Sequence, residues 1–220
     1  MPVKFIALVL IALFSGSAAA EEHDTRRSAV VLDENVWVAF YDLPSRRFRD
    51  IYSAVVAGNR SAAAGDLGVA AAYLAIESDR AHAELVEPLG NAAAELRTLA
   101  AGIETATLAE FDRAFARAHW LLAQHFIAEA RDARDARNGN ATGLYLWAAT
   151  HHIERTLLWS NERIARDVSR TIDELRDIGG RLQKGATVEA AFREKPVVRA
   201  EALLRKVARQ VDRPVRLAED

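Results

Sequence analysis

The sequence predicts an all-α protein: an antiparallel helical bundle built from two duplicated helical hairpins, with a C-terminal helical extension. Three observations predict it. Ala, Leu, Arg and Glu dominate a chain of 220 residues with only 11 Gly and 5 Pro, a balance that favours helix by intrinsic propensity. Apolar residues recur at three- and four-residue steps from Phe48 to Val211, the period of a helix with one buried face. Two turn signals, Gly58-Asn59 and Gly139-Asn140, each close one such segment and precede an Ala-rich one, as glycine and asparagine tolerate positive φ.

The N-terminus reads as an export signal. Lys4 precedes the apolar run Phe5–Phe14, and Ala18-x-Ala20 offers the small residues that signal peptidase requires, so the mature chain is expected to start at Glu21. The run is about ten residues, half of what a spanning helix needs. Residues 21–44 are expected to form an N-terminal arm, with 21–35 a loose polar leader and Val36–Tyr41 an extended arm, a short strand or a turn. Residues 45–184 are expected to form the bundle and 185–220 the basic extension. The expected location is periplasmic or secreted. The chain has no cysteine, so it has no thiol nucleophile, thiolate metal site or disulfide; an exported chain of this size has core enough without one. Losing Lys4 with the leader takes the net charge from −2 to −3, too balanced for a general nucleic-acid binder.

Asp42-Leu43-Pro44 opens a first helix, with Asp42 as the expected cap and Phe48, Ile51, Tyr52, Val55 and Val56 along it. A second is expected over 61–86, with Leu67, Ala70, Ala71, Leu74 and Ala81 on its stripe, ended by Pro88 and Gly90. A third covers 91–101 and stops at Gly102. Thr107-x-x-Glu110 is a capping box that starts a fourth, whose seam runs Leu108, Phe111, Phe115, Ala118, Leu122, His125 and Glu129. Trp120 and Ile127 lie off that seam, so this helix is expected to have neighbours on more than one face. A fifth begins near Ala141 or Thr142; its stripe from Leu146 to Ile178 predicts a helix of more than ~50 Å, bent or ended by Gly179-Gly180. A short helix over 187–195 and an amphipathic one with Val197, Leu204, Val207, Ala208 and Val211 complete the chain.

Two segments align as copies. Leu67–Leu74 matches Leu146–Ile153 at an offset of 79, while the two Gly-Asn turns lie 81 apart. A duplicated hairpin, each copy burying its stripe against the other, accounts for both. The signal peptide, the absence of cysteine, and the turns Gly58-Asn59 before Ala70-Ala71-Ala72 and Gly139-Asn140 before Ala148-Ala149 resemble the exported helical-bundle proteins of proteobacteria, and are similar to the YfdX type over about residues 45–165. That resemblance implies an envelope protein linked to stress responses, with no established catalytic residue and no cofactor.

Two constellations carry possible chemistry. Counting from a turn centred between Gly139 and Asn140, His125 comes level with His151 and His152, and Glu129 and Glu154 lie near. Imidazole is a common ligand for transition metals and haem iron, so His125, His151, His152, Glu129 and Glu154 are the candidate metal or haem site. No Glu-x-x-His pair or His-Glu-x-x-His occurs, and successive histidines diverge by about 100° around a helix, so packing roles are the simpler reading. A pH response of the histidines is a further expectation. Trp120, Tyr145, Trp147 and Trp159 are the candidate aromatic surface for a partner, with interhelix packing the simpler reading. Residues 193–216 hold eight basic and three acidic residues; they fit either an anionic membrane surface or docking on acidic neighbours. No nucleophile motif or phosphate loop is present. The expectation is a non-enzymatic exported protein that binds a partner protein or peptide, with histidine-based metal or haem binding and membrane-surface binding as alternatives.

Overall fold

The structure, a computed structural model, describes residues 6–9, 29–32, 37–38, 40–186 and 195–211. Contacts divide the chain into two units, residues 1–40 and 41–220. In the first, strand β1 (Ile6–Val9) pairs antiparallel with β2 (Ala29–Leu32), Ile6 opposite Leu32 and Val9 opposite Ala29. The leader expected to be loose therefore contains a strand, formed by the apolar run Ala29-Val30-Val31-Leu32, and its partner lies inside the expected export signal. Of the arm expected around Val36–Tyr41, the described residues Trp37 and Val38 have helical backbone, and the Phe40 N–H donates to the Trp37 carbonyl at 2.9 Å.

The second unit is all-α among its described residues. Helix α1 spans Leu43–Val56, α2 Arg60–Arg80, α3 Ala83–Ala101, α4 Leu108–Asp135, α5 Gly139–Trp159, α6 Arg166–Gln183 and α7 Pro196–Val211. Consecutive helices pack as antiparallel neighbours, and α7 lies against α4, α5 and α6. Phe48, Ile51, Leu67, Leu74, Leu89, Phe111, Phe115, Leu122, Phe126, Leu146 and Ile153 form the centre of the core, at 2% exposure or less. No described helix is long and apolar enough to cross a membrane.

Local signals set most of the ends. Pro44 sits in the first turn of α1, where a missing N–H costs nothing. Asp42 forms no cap bond; its carboxylate is taken by Arg46 at 2.8 Å. The α4 capping box forms, the Glu110 carboxylate accepting from the Thr107 N–H at 2.7 Å.

Two helix boundaries differ from the sequence reading. The second helix breaks at Ala81-His82, not at Pro88 and Gly90, which lie inside α3. Pro88 is in the second turn of α3, where its fixed φ suits a helix and only one backbone bond is lost. The Ser78 hydroxyl donates to the Val86 carbonyl at 2.7 Å and ties the two helix ends together. The long fifth helix is two helices. Asn161 adopts φ 54°, residues 160–165 leave the helix, and α6 folds back along α5. Val168, Ile172, Leu175 and Ile178 are buried as the stripe requires, but on a separate helix, and Gly179-Gly180 lies within it. The short helix expected over 187–195 falls outside the described residues, apart from Lys195.

The duplication is more regular than the two sequence offsets suggest. Asn59 caps α2 by accepting from the Ala62 N–H at 3.2 Å, and Asn138 caps α5 by accepting from the Ala141 N–H at 3.1 Å. The left-handed turn residue is Gly58 (φ 78°) in one copy and Arg137 (φ 56°) in the other. Turn and helix therefore share the single offset of 79, and α2 and α5 are both 21 residues long. Every buried residue of α2, from Ala63 and Leu67 to Tyr73, Glu77 and Ser78, has a buried counterpart 79 positions later in α5. Sequence aligned the wrong Asn, because Asn140 follows a glycine as Asn59 does.

Close approach is confined to the second copy. A Cβ on Gly143 would stand 2.4 Å from the Gly179 carbonyl oxygen, and one on Gly179 would stand 2.9 Å from both the Gly143 oxygen and Trp147 Cδ1. Gly65 and Gly68 on α2 face open space. Thermal melting should therefore separate two kinds of Gly→Ala change. Gly143→Ala is expected to cost about 1–3 kcal/mol by overpacking, and Gly68→Ala to stabilise by up to ~1 kcal/mol through helix propensity.

Candidate functional site

Three of the fully buried polar side chains in the bundle are histidines, and with the half-buried His151 they form a line. It starts from α4, which is covered on several faces because α3, α5 and α7 all pack on it, and which thereby buries both His119 and His125 completely. Helix α5 contributes His152, also fully buried, and His151 beside it on the α1 side.

His119 Nδ1 lies 2.9 Å from His152 Nδ1. Two imidazoles can share that contact only when one Nδ1 carries a proton and the other does not. Phe48 and Phe126 enclose the pair, Phe126 stacking on His152 with ring centroids 5.4 Å apart and Phe48 meeting His119 edge-on at 5.1 Å. Burial pushes both imidazoles well below the usual histidine range. For His119 the charges at His151 and Arg155 push the same way; for His152 those at His119, His151 and His125 do, against a weaker pull from the Tyr41 backbone. Both rings are therefore neutral.

His151 extends the line to α1. Its Nε2 lies 2.6 Å from Ser45 Oγ, and the Tyr41 ring packs edge-on against it at 5.2 Å. Burial first, then Arg155 and Arg176, lower its pKa to about 4, while Glu154 and Asp42 oppose them weakly. At the other end His125 Nε2 lies 3.0 Å from Glu77 Oε2 on α2, both side chains fully buried; the contact is close but is not an aligned hydrogen bond. Glu77 also takes Arg80 at 3.1 Å and the Tyr73 hydroxyl. Burial, and next the Glu77 charge, hold Tyr73 well above the usual phenol range, so it stays a donor.

The five candidate metal residues are distributed over five separate partnerships. His125 goes to Glu77, His151 to Ser45, His152 to His119, and Glu154 to Arg176 at 2.9 Å. Glu129 lies 3.9 Å from His82, which also approaches Asp132 at 3.4 Å. Among the described residues no three His, Asp or Glu side chains are placed to share an ion. The aromatic candidates are similarly divided. Trp159 packs on Phe115 at 5.0 Å and Tyr52 at 5.6 Å, Tyr145 stacks near Phe126, and the Trp147 indole donates to the Arg176 carbonyl at 3.1 Å. Trp120 is half-buried on α4.

Helix α7 docks through Val197, Ala200, Leu203 and Val207. Its Arg199 and Lys206 pair with Glu174 and Asp167 of α6, and its Glu201 takes Arg131 of α4 at 2.7 Å.

Sequence reasoning missed Glu77, Tyr73, Ser45 and His119. Glu77 had a signal: it falls three residues after Leu74 on the buried stripe, an unusual place for a carboxylate. His119 was missed because the hairpin turn lies nearer Arg137 than Gly139-Asn140, and α5 sits about six residues, nearly two helical turns, further along α4 than the count assumed, which pairs His152 with His119 in place of His125. Comparison with family models, curated proteins and solved structures found no match.

Proposed function

We propose that the chain is an exported, non-enzymatic helical protein of the cell envelope that binds a partner protein or peptide through apolar helical surface uncovered on acidification. The observation that carries the reading is the neutral His119–His152 pair buried between α4 and α5. A second proton on the pair sets two N–H groups against each other at 2.9 Å and places a charge among Phe48, Phe126 and two further histidines. That is costly without a counter-ion. The buried carboxylate of the line, Glu77, is already engaged by His125, Arg80 and Tyr73. A protein outside the cytoplasm meets the ambient pH, where histidine is the side chain that switches. The export pattern Phe5–Ala20 and the likeness to YfdX-type envelope proteins support the same setting.

The test compares pH 7 with pH 5 by fluorescence of a dye that reports exposed apolar surface, alongside capture of a model unfolded polypeptide. Both signals are expected to rise several-fold at pH 5, and to rise much less in the variant carrying His119→Leu with His152→Leu. Equal signals at the two pH values, or an undiminished acid response in the double variant, would overturn the reading.

A further inference from the structure

A cleft of about 130 Å³ opens between α1 and α5, lined by Ser45, Arg49, Arg155, Leu158 and Trp159. The spacing explains the grouping: Ser45 and Arg49 are four apart on α1, and Arg155, Leu158 and Trp159 are three and four apart on α5, so each set shares a helix face. Two positive charges line the same small space. Elsewhere on α1 arginines have carboxylates, Arg46 with Asp42 and Arg47 with Asp66. Among the described residues neither Arg49 nor Arg155 has one within ion-pair distance. The Arg155 Nε is buried without any hydrogen-bond partner, an unsatisfied state that costs free energy until an acceptor arrives.

We propose that this cleft is a binding site for a small organic oxyanion, a carboxylate or phosphate ester attached to a single ring or a short apolar chain. The guanidinium forks of Arg49 and Arg155 suit such a head group. Trp159 and the half-exposed Leu158 supply an apolar wall for the body. The volume limits the body's size, since an apolar cavity of ~150 Å³ holds one benzene. Ser45 completes the site. When His151 carries its proton on Nε2, that N–H donates to Ser45 Oγ across the 2.6 Å contact, and the Ser45 O–H is free to donate to the anion. The site stands on the unpaired arginines and the cleft, independently of the acid response.

Calorimetric titration of the full mature protein tests it with benzoate, phenyl phosphate and benzamide as probes. One equivalent of benzoate or phenyl phosphate is expected to bind saturably at millimolar concentration or below, and whichever binds tighter identifies the head group. Benzamide, which keeps the ring and shape without the charge, is expected to bind at least tenfold more weakly. Arg49→Gln and Arg155→Gln should each weaken the anion by tenfold or more, while Arg170→Gln on α6 leaves it unchanged. Arg49 is an exposed residue, so its variant keeps the test valid if Arg155→Gln fails to fold. Absence of saturable binding by both anions, equal binding of benzamide, or full binding by the folded Arg49→Gln variant would overturn the proposal.

Discussion

Urea denaturation is expected to show stability falling steeply as the pH drops from 7 towards 5. The sign follows from the direction of the shifts. His119 and His152 have pKa values well below 6.5 in the folded chain, and that of His151 is about 4, while in the unfolded chain each is near 6.5. Above 6.5 neither state binds the protons and the stability is complete. Between 6.5 and the folded values the unfolded chain binds more protons, so acid favours unfolding. Each neutral histidine contributes a slope of about 1.4 kcal/mol per pH unit. With all three neutral in the folded chain, acid draws on three sites at once, a large effect against the roughly 5–15 kcal/mol typical of a domain. In the variant with His119→Leu and His152→Leu the slope should fall by about two thirds. A midpoint that holds steady from pH 7 to pH 5 would show that the histidines do not limit stability.

Glu77→Leu is expected to be the most damaging single substitution in the bundle. It leaves His125 Nε2, Arg80 and the Tyr73 hydroxyl facing an apolar group in a fully buried site. Removing one partner of a buried ion pair costs about 3–5 kcal/mol, because the remaining charge has lost both water and its counter-ion. His125→Leu with Glu77→Leu should cost less than the sum of the two single changes by about 1–3 kcal/mol, the signature of a direct pair. The same denaturation series measures it. Additive costs, or a single-variant loss under 1 kcal/mol, would mean that the contact contributes little.

The sequence was legible wherever local chemistry decides. The Thr107–Glu110 box, Pro44 in a first turn, and the buried stripes of α1, α4 and α6 follow from spacing alone, and so does the all-α class. The duplication was legible in outline, through Leu67–Leu74 against Leu146–Ile153. What was not legible depends on tertiary choice. Pro88 in α3 and the break at Asn161 are cases where two backbones are locally possible and packing selects one: the Gly143–Gly179 approach requires α6 to fold back on α5. The candidate site suffered from the same cause. Histidines on two helices can be matched only if the turn between them is known to within a residue or two, and Arg137, not a glycine, takes the left-handed position. Helical spacing therefore supplied His125, His151 and His152 as members of a polar line, but assigned His152 the wrong partner. The cleft at Ser45, Arg49 and Arg155 had no sequence signal, because an arginine without a carboxylate looks the same in sequence as one that is paired.

The most direct test is a nitrogen NMR titration of the imidazoles in the protein labelled at histidine, from pH 7.5 to pH 5.5. The account predicts that His119 and His152 stay neutral throughout, with one ring protonated at Nδ1 and the other at Nε2. Protonation of both rings with midpoints near 6.5, in a chain that remains folded, would contradict it.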